Sequence, residues 1–202
     1  MTRIKMCGIR RPEDIAAVND IRPDYIGFVF FRGSRRYVEP ETARALKAAL
    51  APGIKAVGVF VNEEPEQVAE LLRNGTIDIA QLHGQEDEAY VARLRALTDK
   101  PLIQAFRIRS RENLAAAEAS SADHLLLDAG AGDGKTFDWA WLPGVSRPFF
   151  LAGGLNPENV GEAVESVRPF AVDVSSGIEE NGVKNIEKMR AFAGAVRKKE
   201  HT

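Results

Sequence analysis

Short runs of apolar, often β-branched residues recur from one end of the chain to the other. Between them lie stretches in which apolar residues return every three or four positions. The runs are Ile4 to Cys7, Tyr25 to Phe31, Ala56 to Val61, Ile77 to Leu82, Leu102 to Phe106, His124 to Leu127, Phe149 to Ala152 and Ala171 to Val174. Near-continuous apolar strands, as opposed to alternating ones, mark a parallel sheet covered on both faces. The intervening stretches, such as Pro40 to Leu50 and Pro65 to Leu72, have the spacing of amphipathic helices. Arg11-Pro12-Glu13-Asp14, Glu64-Pro65-Glu66 and Asn156-Pro157-Glu158 each place proline in a first helical turn with acids beside it. The pattern predicts an α/β protein, a single-domain (βα)8 TIM barrel over residues 1–202, at about 25 residues per unit and so compact for that architecture. The sixth unit is irregular and shortened: Asp128 to Gly134 reads as loop, and only Phe137 to Leu142 could form a short helix. The chain shows no linker, low-complexity segment or second domain.

Composition narrows the setting. An apolar fraction of 45% and a charged fraction of 28% are those of a soluble globular protein. Since no apolar run approaches the roughly 20 residues of a bilayer span, and Met1 leads into a strand without a signal-peptide stretch, the expected location is the cytoplasm. One cysteine permits no intrachain disulfide. A net charge of −2 speaks against nucleic acid or an anionic membrane as partner, so any anion site must be local.

Four features mark candidate chemistry. Cys7 ends the first strand, where a parallel α/β fold places its working side chains, although taken alone a free cysteine is more often a small buried hydrophobe. Asp128 ends the sixth strand and points into the same mouth. A thiol and a carboxyl facing one another can divide acid and base work, provided the site lowers the pKa of the first and raises that of the second. After the seventh and eighth strands, Gly153 and Gly154, then Ser176 and Gly177, form loops that can bring backbone N–H groups up to an oxyanion; the alternative is plain strand-to-helix turns. After the second strand, Phe31-Arg32-Gly33-Ser34-Arg35-Arg36-Tyr37 carries three arginines able to clamp a carboxylate, or else a solvated basic loop. His83 follows the fourth strand, His124 opens the sixth on the other rim, and His201 is in the tail. With one cysteine and scattered histidines a structural zinc site is excluded and no catalytic metal is expected. No Walker, dinucleotide or Ser-His-Asp signature occurs, so the expected chemistry is cofactor-free.

Lys5-Met6-Cys7-Gly8-Ile9, Gly27-Phe28-Val29-Phe30, Ser34-Arg35-Arg36-Tyr37-Val38, Gln81-Leu82-His83-Gly84, Leu127-Asp128, Phe137-Asp138-Trp139, Ala152-Gly153-Gly154-Leu155 and Asp173-Val174-Ser175-Ser176-Gly177 run in order along nearly the whole chain. Together they resemble the phosphoribosylanthranilate isomerases of tryptophan biosynthesis. The resemblance implies an Amadori rearrangement of N-(5-phosphoribosyl)anthranilate to 1-(carboxyphenylamino)-1-deoxyribulose 5-phosphate. It implies Asp128 as the general acid on the ribose ring oxygen and Cys7 as the base at the sugar's second carbon. It further implies Arg36 on the anthranilate carboxylate, Gly153, Gly154, Ser176 and Gly177 on the phosphate, and His83 among the substrate-binding residues. No cofactor is implied; the partner is a small phosphosugar, and the chain is a monomer or homodimer. One stretch departs from the family's Gly-Gly-Thr-Gly, reading Ala131-Gly132-Asp133-Gly134. The added carboxylate would repel an anionic substrate unless Asp133 points away or pairs with Lys135.

Related phosphate-binding barrels fit less well. A ribulose-phosphate epimerase would want paired acids and metal-binding histidines, and indole-3-glycerol phosphate synthase a catalytic lysine, for which Lys5 is the one well placed. The histidine-pathway isomerase would carry two aspartates at these positions. A non-catalytic phosphosugar-binding protein would have no reason to keep both Cys7 and Asp128.

Overall fold

The computed structural model describes residues 1–128 and 139–198. The altered stretch 131–134, Phe137, Asp138 and His201 lie outside the described residues. Eight parallel strands close into a barrel in chain order: β1 (Arg3–Cys7), β2 (Tyr25–Val29), β3 (Lys55–Phe60), β4 (Ile79–Leu82), β5 (Leu102–Arg107), β6 (His124–Asp128), β7 (Phe149–Ala152) and β8 (Ala171–Val174). Closure is made by β8 pairing with β1, with Lys5 in register with Asp173.

Seven helices cover the barrel among the described residues: α1 (Pro12–Ile21), α2 (Pro40–Ala48), α3 (Pro65–Arg73), α4 (Glu88–Leu97), α5 (Arg111–Glu118), α6 (Val160–Val167) and α7 (Ile186–Lys198). Proline opens α1, α2 and α3, where its missing N–H would have had no partner anyway. The proline signal misplaces α6. Asn156 Oδ1 accepts from the backbone N–H groups of Glu158 and Asn159, holding a turn there, and the helix begins at Val160 with Asn159 as its N-cap. In the sixth unit, Trp139–Gly144 is a 3₁₀ helix, in keeping with the shortened connection expected there.

The strand parity divides the core in two. One set of side chains, including Ile4, Met6, Ile26 and Phe28, packs outward against the helices. The other points into the barrel, where Val57, Ile79, Ile103, Leu126, Phe150 and Ala171 fill the interior. Aromatic rings close the amino-terminal end: Phe150 meets Tyr25 edge-on at 5.4 Å between centroids, and His124 stacks on Phe170 at 5.2 Å. This gives His124 a packing role far from the mouth, and burial lowers its pKa. With that end filled, the cavity lined by Cys7, His83 and Asp128 opens at the carboxyl end of the strands.

The chain then adds an element that the apolar pattern does not announce. After β8, a 3₁₀ turn (Ser176–Ile178) leads into an antiparallel hairpin of β9 (Glu179–Glu180) and β10 (Val183–Lys184). Asn181 and Gly182 between them both take positive φ, the backbone that matches a tight hairpin's twist. Truncating the fully buried Phe150 to Ala is expected to destabilise the barrel by about 3–5 kcal/mol, read as a lowered midpoint in urea unfolding.

Candidate active site

Cys7 and Asp128, three strands apart around the ring, line one cavity of about 200 Å³ at the carboxyl ends of the strands. The same cavity is bordered by Gln81, His83, Gly153, Gly154, Asp173, Ser175 and Ser176. Six of the eight residues singled out in the sequence therefore meet in one place. Gly153 and Gly154 have φ of +93° and +68°, a backbone that side chains disfavour, and Asn159 Nδ2 donates to the Gly154 carbonyl at 3.0 Å. Gly177 is not part of the lining. A Cβ there would collide with the Leu155 carbonyl, so glycine at this position lets the loops after β7 and β8 pack against each other.

Arg36 also stands apart from that lining. Its stem lies against Gly8, where a Cβ would come within 2.6 Å of Arg36 Cδ. Its guanidinium faces a neighbouring pocket with Arg10, Arg35, Glu179, Asn181 and Gly182. Arg36 is not an open fork: its Nε and Nη2 donate to the two Glu179 carboxylate oxygens, each at 2.7 Å. Glu179 Oε1 also accepts from Lys184 Nζ at 2.7 Å, and that ammonium donates to the Ser175 carbonyl at 2.9 Å. Ser175 Oγ in turn donates to the Cys7 carbonyl at 3.2 Å, so the hairpin ties the arginine loop to the strand that carries the thiol. Burial would raise the Glu179 carboxyl pKa, but the hydrogen bonds from Arg36 and Lys184 outweigh it and hold the value at about 2.

Beneath the thiol lies a buried charge pair. Lys5 is fully buried two residues before Cys7, on the same inward face, and its Nζ reaches Asp173 Oδ1 at 2.9 Å. Desolvation would pull this ammonium down, yet Asp173 and Cys7 more than compensate and its pKa lies above the ordinary lysine value. For Cys7 the balance is the reverse of the one expected from acid–base work alone. Burial pushes the thiol up, Lys5 pulls it down, Asp173 pushes it up, Lys184 pulls it down, and the net pKa is above the ordinary value. Across the mouth, Gln81 Nε2 lies 2.7 Å from His83 Nδ1, and His83 Nε2 lies 3.4 Å from Asp128 Oδ2. His83 is thus placed beside the carboxyl.

Sequence reasoning missed Glu179, Lys184, Gln81, Asp173 and Ser175. For the hairpin pair a signal existed, since Asn181-Gly182 is a strong hairpin dipeptide. For Asp173 and Gln81 the signal was a polar residue at an inward position of an otherwise apolar strand.

A closed parallel barrel whose mouth combines a thiol, a carboxyl and a glycine-serine cradle has the build of a barrel enzyme that moves protons on an anionic substrate. The comparisons specify which. The model of the family described as N-(5'phosphoribosyl)anthranilate (PRA) isomerase matches residues 4–195, and the chain belongs to that family. It is 46% identical over 211 residues to the N-(5'-phosphoribosyl)anthranilate isomerase of Acetivibrio thermocellus, covering 98% of this chain and 96% of that one. The crystal structure of phosphoribosyl anthranilate isomerase from Thermotoga maritima superposes with a TM-score of 0.88 at 37% identity, over 98% of this chain and 100% of the other. A further crystal structure, of a phosphoribosyl anthranilate isomerase in complex with reduced 1-(o-carboxyphenylamino)-1-deoxyribulose 5-phosphate, superposes with a TM-score of 0.86 at 36% identity, covering 98% and 100% of the two chains.

Because the Glu179 pKa is depressed on folding, its contribution to stability is present above about pH 4.5 and is lost as pH falls toward about 2. In Glu179→Gln this part of the acid destabilisation should be missing, on the order of 2 kcal/mol, as measured by urea unfolding across that pH range.

Proposed function

We propose that this chain catalyses the Amadori rearrangement of N-(5-phosphoribosyl)anthranilate to 1-(2-carboxyphenylamino)-1-deoxyribulose 5-phosphate in the cytoplasm, with Asp128 as general acid and Cys7 as general base. The observation that carries the reading is the shared cavity of Cys7 and Asp128, walled on one side by Gly153, Gly154 and Ser176. The phosphate docks on the backbone N–H groups of that wall, whose positive-φ glycines, without a Cβ, permit close approach. The anthranilate carboxylate takes the Nη1 side of Arg36, since Nε and Nη2 are held by Glu179. Anchoring both ends places the sugar's reacting carbons between thiol and acid. His83 touches substrate from beside Asp128.

The charges impose an order on the steps. Asp128 first gives its proton to the ribose ring oxygen, the ring opens, and the anthranilate nitrogen becomes an iminium cation. That cation acidifies the hydrogen on the sugar's second carbon, and it also lies beside Cys7. A thiol held high by burial is drawn toward the thiolate by a neighbouring positive charge. The thiolate then takes the carbon-bound proton, and the enolamine tautomerises to the ketose. The substrate serves as its own electron sink, so the scheme uses no cofactor. All groups come from one chain, so turnover is expected of a monomer and of a homodimer alike.

Purified protein added to freshly made phosphoribosylanthranilate should quench the substrate's fluorescence. Cys7→Ser and Asp128→Asn should each remove most of the turnover and leave the circular dichroism unchanged; near-normal activity in Cys7→Ser would remove the proposed base. Replacing Arg36 with Met should act chiefly on KM. Gly27 lies against the thiol, with a Cβ there only 2.6 Å from Cys7 Sγ. Gly27→Ala should therefore displace the sulfur and lower kcat roughly a hundredfold.

A further inference from the structure

We infer that Lys5, clamped by Asp173, is the counter-cation of the Cys7 thiolate and thus a positioning residue for the base. The inference rests on the proposed role of Cys7 and extends it. Lys5 and Cys7 project from the same face of β1, one layer apart, and Lys5 is wholly shut off from solvent. A buried ammonium has three protons to place. Asp173 Oδ1 takes one at 2.9 Å, and Cys7, two residues further along the same face of β1, is the next inward side chain above the ammonium. A lysine at the centre of a packed barrel is costly unless its charge is matched. Pairing with Asp173 alone would satisfy the charge without favouring either state of the thiol. Placing the ammonium under the sulfur instead gives the thiolate a fixed partner that needs no water.

The other charged groups around Cys7 differ in how firmly they are committed. Lys184, from β10, is bound by Glu179 and the Ser175 carbonyl. Arg36, from the loop after β2, is bound by both oxygens of Glu179. His83 and Asp128 lie across the mouth and are paired with each other. Asp173, from β8, is the anion beneath the thiol among the described residues, and its effect on the thiolate is opposed to that of Lys5. The carbon-bound proton passes to sulfur, while Lys5 keeps its own proton throughout. The net charge of the Lys5, Asp173 and Cys7 group therefore rises from −1 to 0 as the iminium is neutralised.

The test uses the chain's single cysteine, whose thiolate ultraviolet absorbance reports Cys7 alone. In Lys5→Met the midpoint of thiolate formation should rise by about one pH unit or more. Near-neutral kcat/KM should fall about tenfold, with activity recovering as pH is raised through the new midpoint. In Asp173→Asn, where the opposing anion is gone, the midpoint should fall. An unchanged midpoint in folded Lys5→Met, or one that rises or stays fixed in Asp173→Asn, overturns the inference. Where Lys5→Met does not fold, the direction in Asp173→Asn decides. Midpoints that move as stated while Cys7→Ser still turns over substrate would leave the ion pair standing and remove the base assignment instead.

Discussion

Pairing of β8 with β1 is the contact on which the site depends. It closes the ring, and the register it sets puts Lys5 opposite Asp173 with Cys7 one layer above. Because inward side chains alternate along each strand, a slip of one residue at this seam would turn the thiol and its buried ammonium outward together. The aromatic floor at the other end of the barrel serves the same arrangement. Phe150, Tyr25, His124 and Phe170 fill that end, and the cavity of Cys7 and Asp128 lies at the other.

The second constraint is electrostatic. Burial works against a thiolate, and the barrel answers with positive charge held by anions that are themselves pinned in place. Lys5 is held by Asp173, Lys184 and Arg36 by Glu179. Each of these cations is held in place near the mouth by its carboxylate partner. The hairpin β9–β10 is the strap that makes this possible, linking the arginine loop after β2 to the start of the loop after β8.

Much of this was legible in the chain. Eight apolar runs became eight strands with ends shifted by a residue or two, and the strand-end positions of Cys7 and Asp128 follow from the run boundaries. Helix α6 starts later than its proline suggests because Asn156 captures the local N–H groups in a turn. Arg36 read as an open carboxylate clamp, whereas Glu179, 143 positions away, takes two of its donors. Gly177 reads as an anion contact, and its place against Leu155 adds a packing reason for glycine that only the folded loops disclose.

The sequence by itself determined what is local or periodic: strand and helix order, the parallel barrel, the proline starts of the first helices, the family, and the strand ends at which chemistry is placed. These follow from spacing and residue type, which act within a few positions. The tertiary structure alone decided which charges meet. The pairing of Lys5 with Asp173, the clamp of Glu179 on Arg36 and the upward push on the Cys7 thiol join residues far apart in the chain. Their energies depend on distance and on the exclusion of water, and neither exists until the barrel has closed.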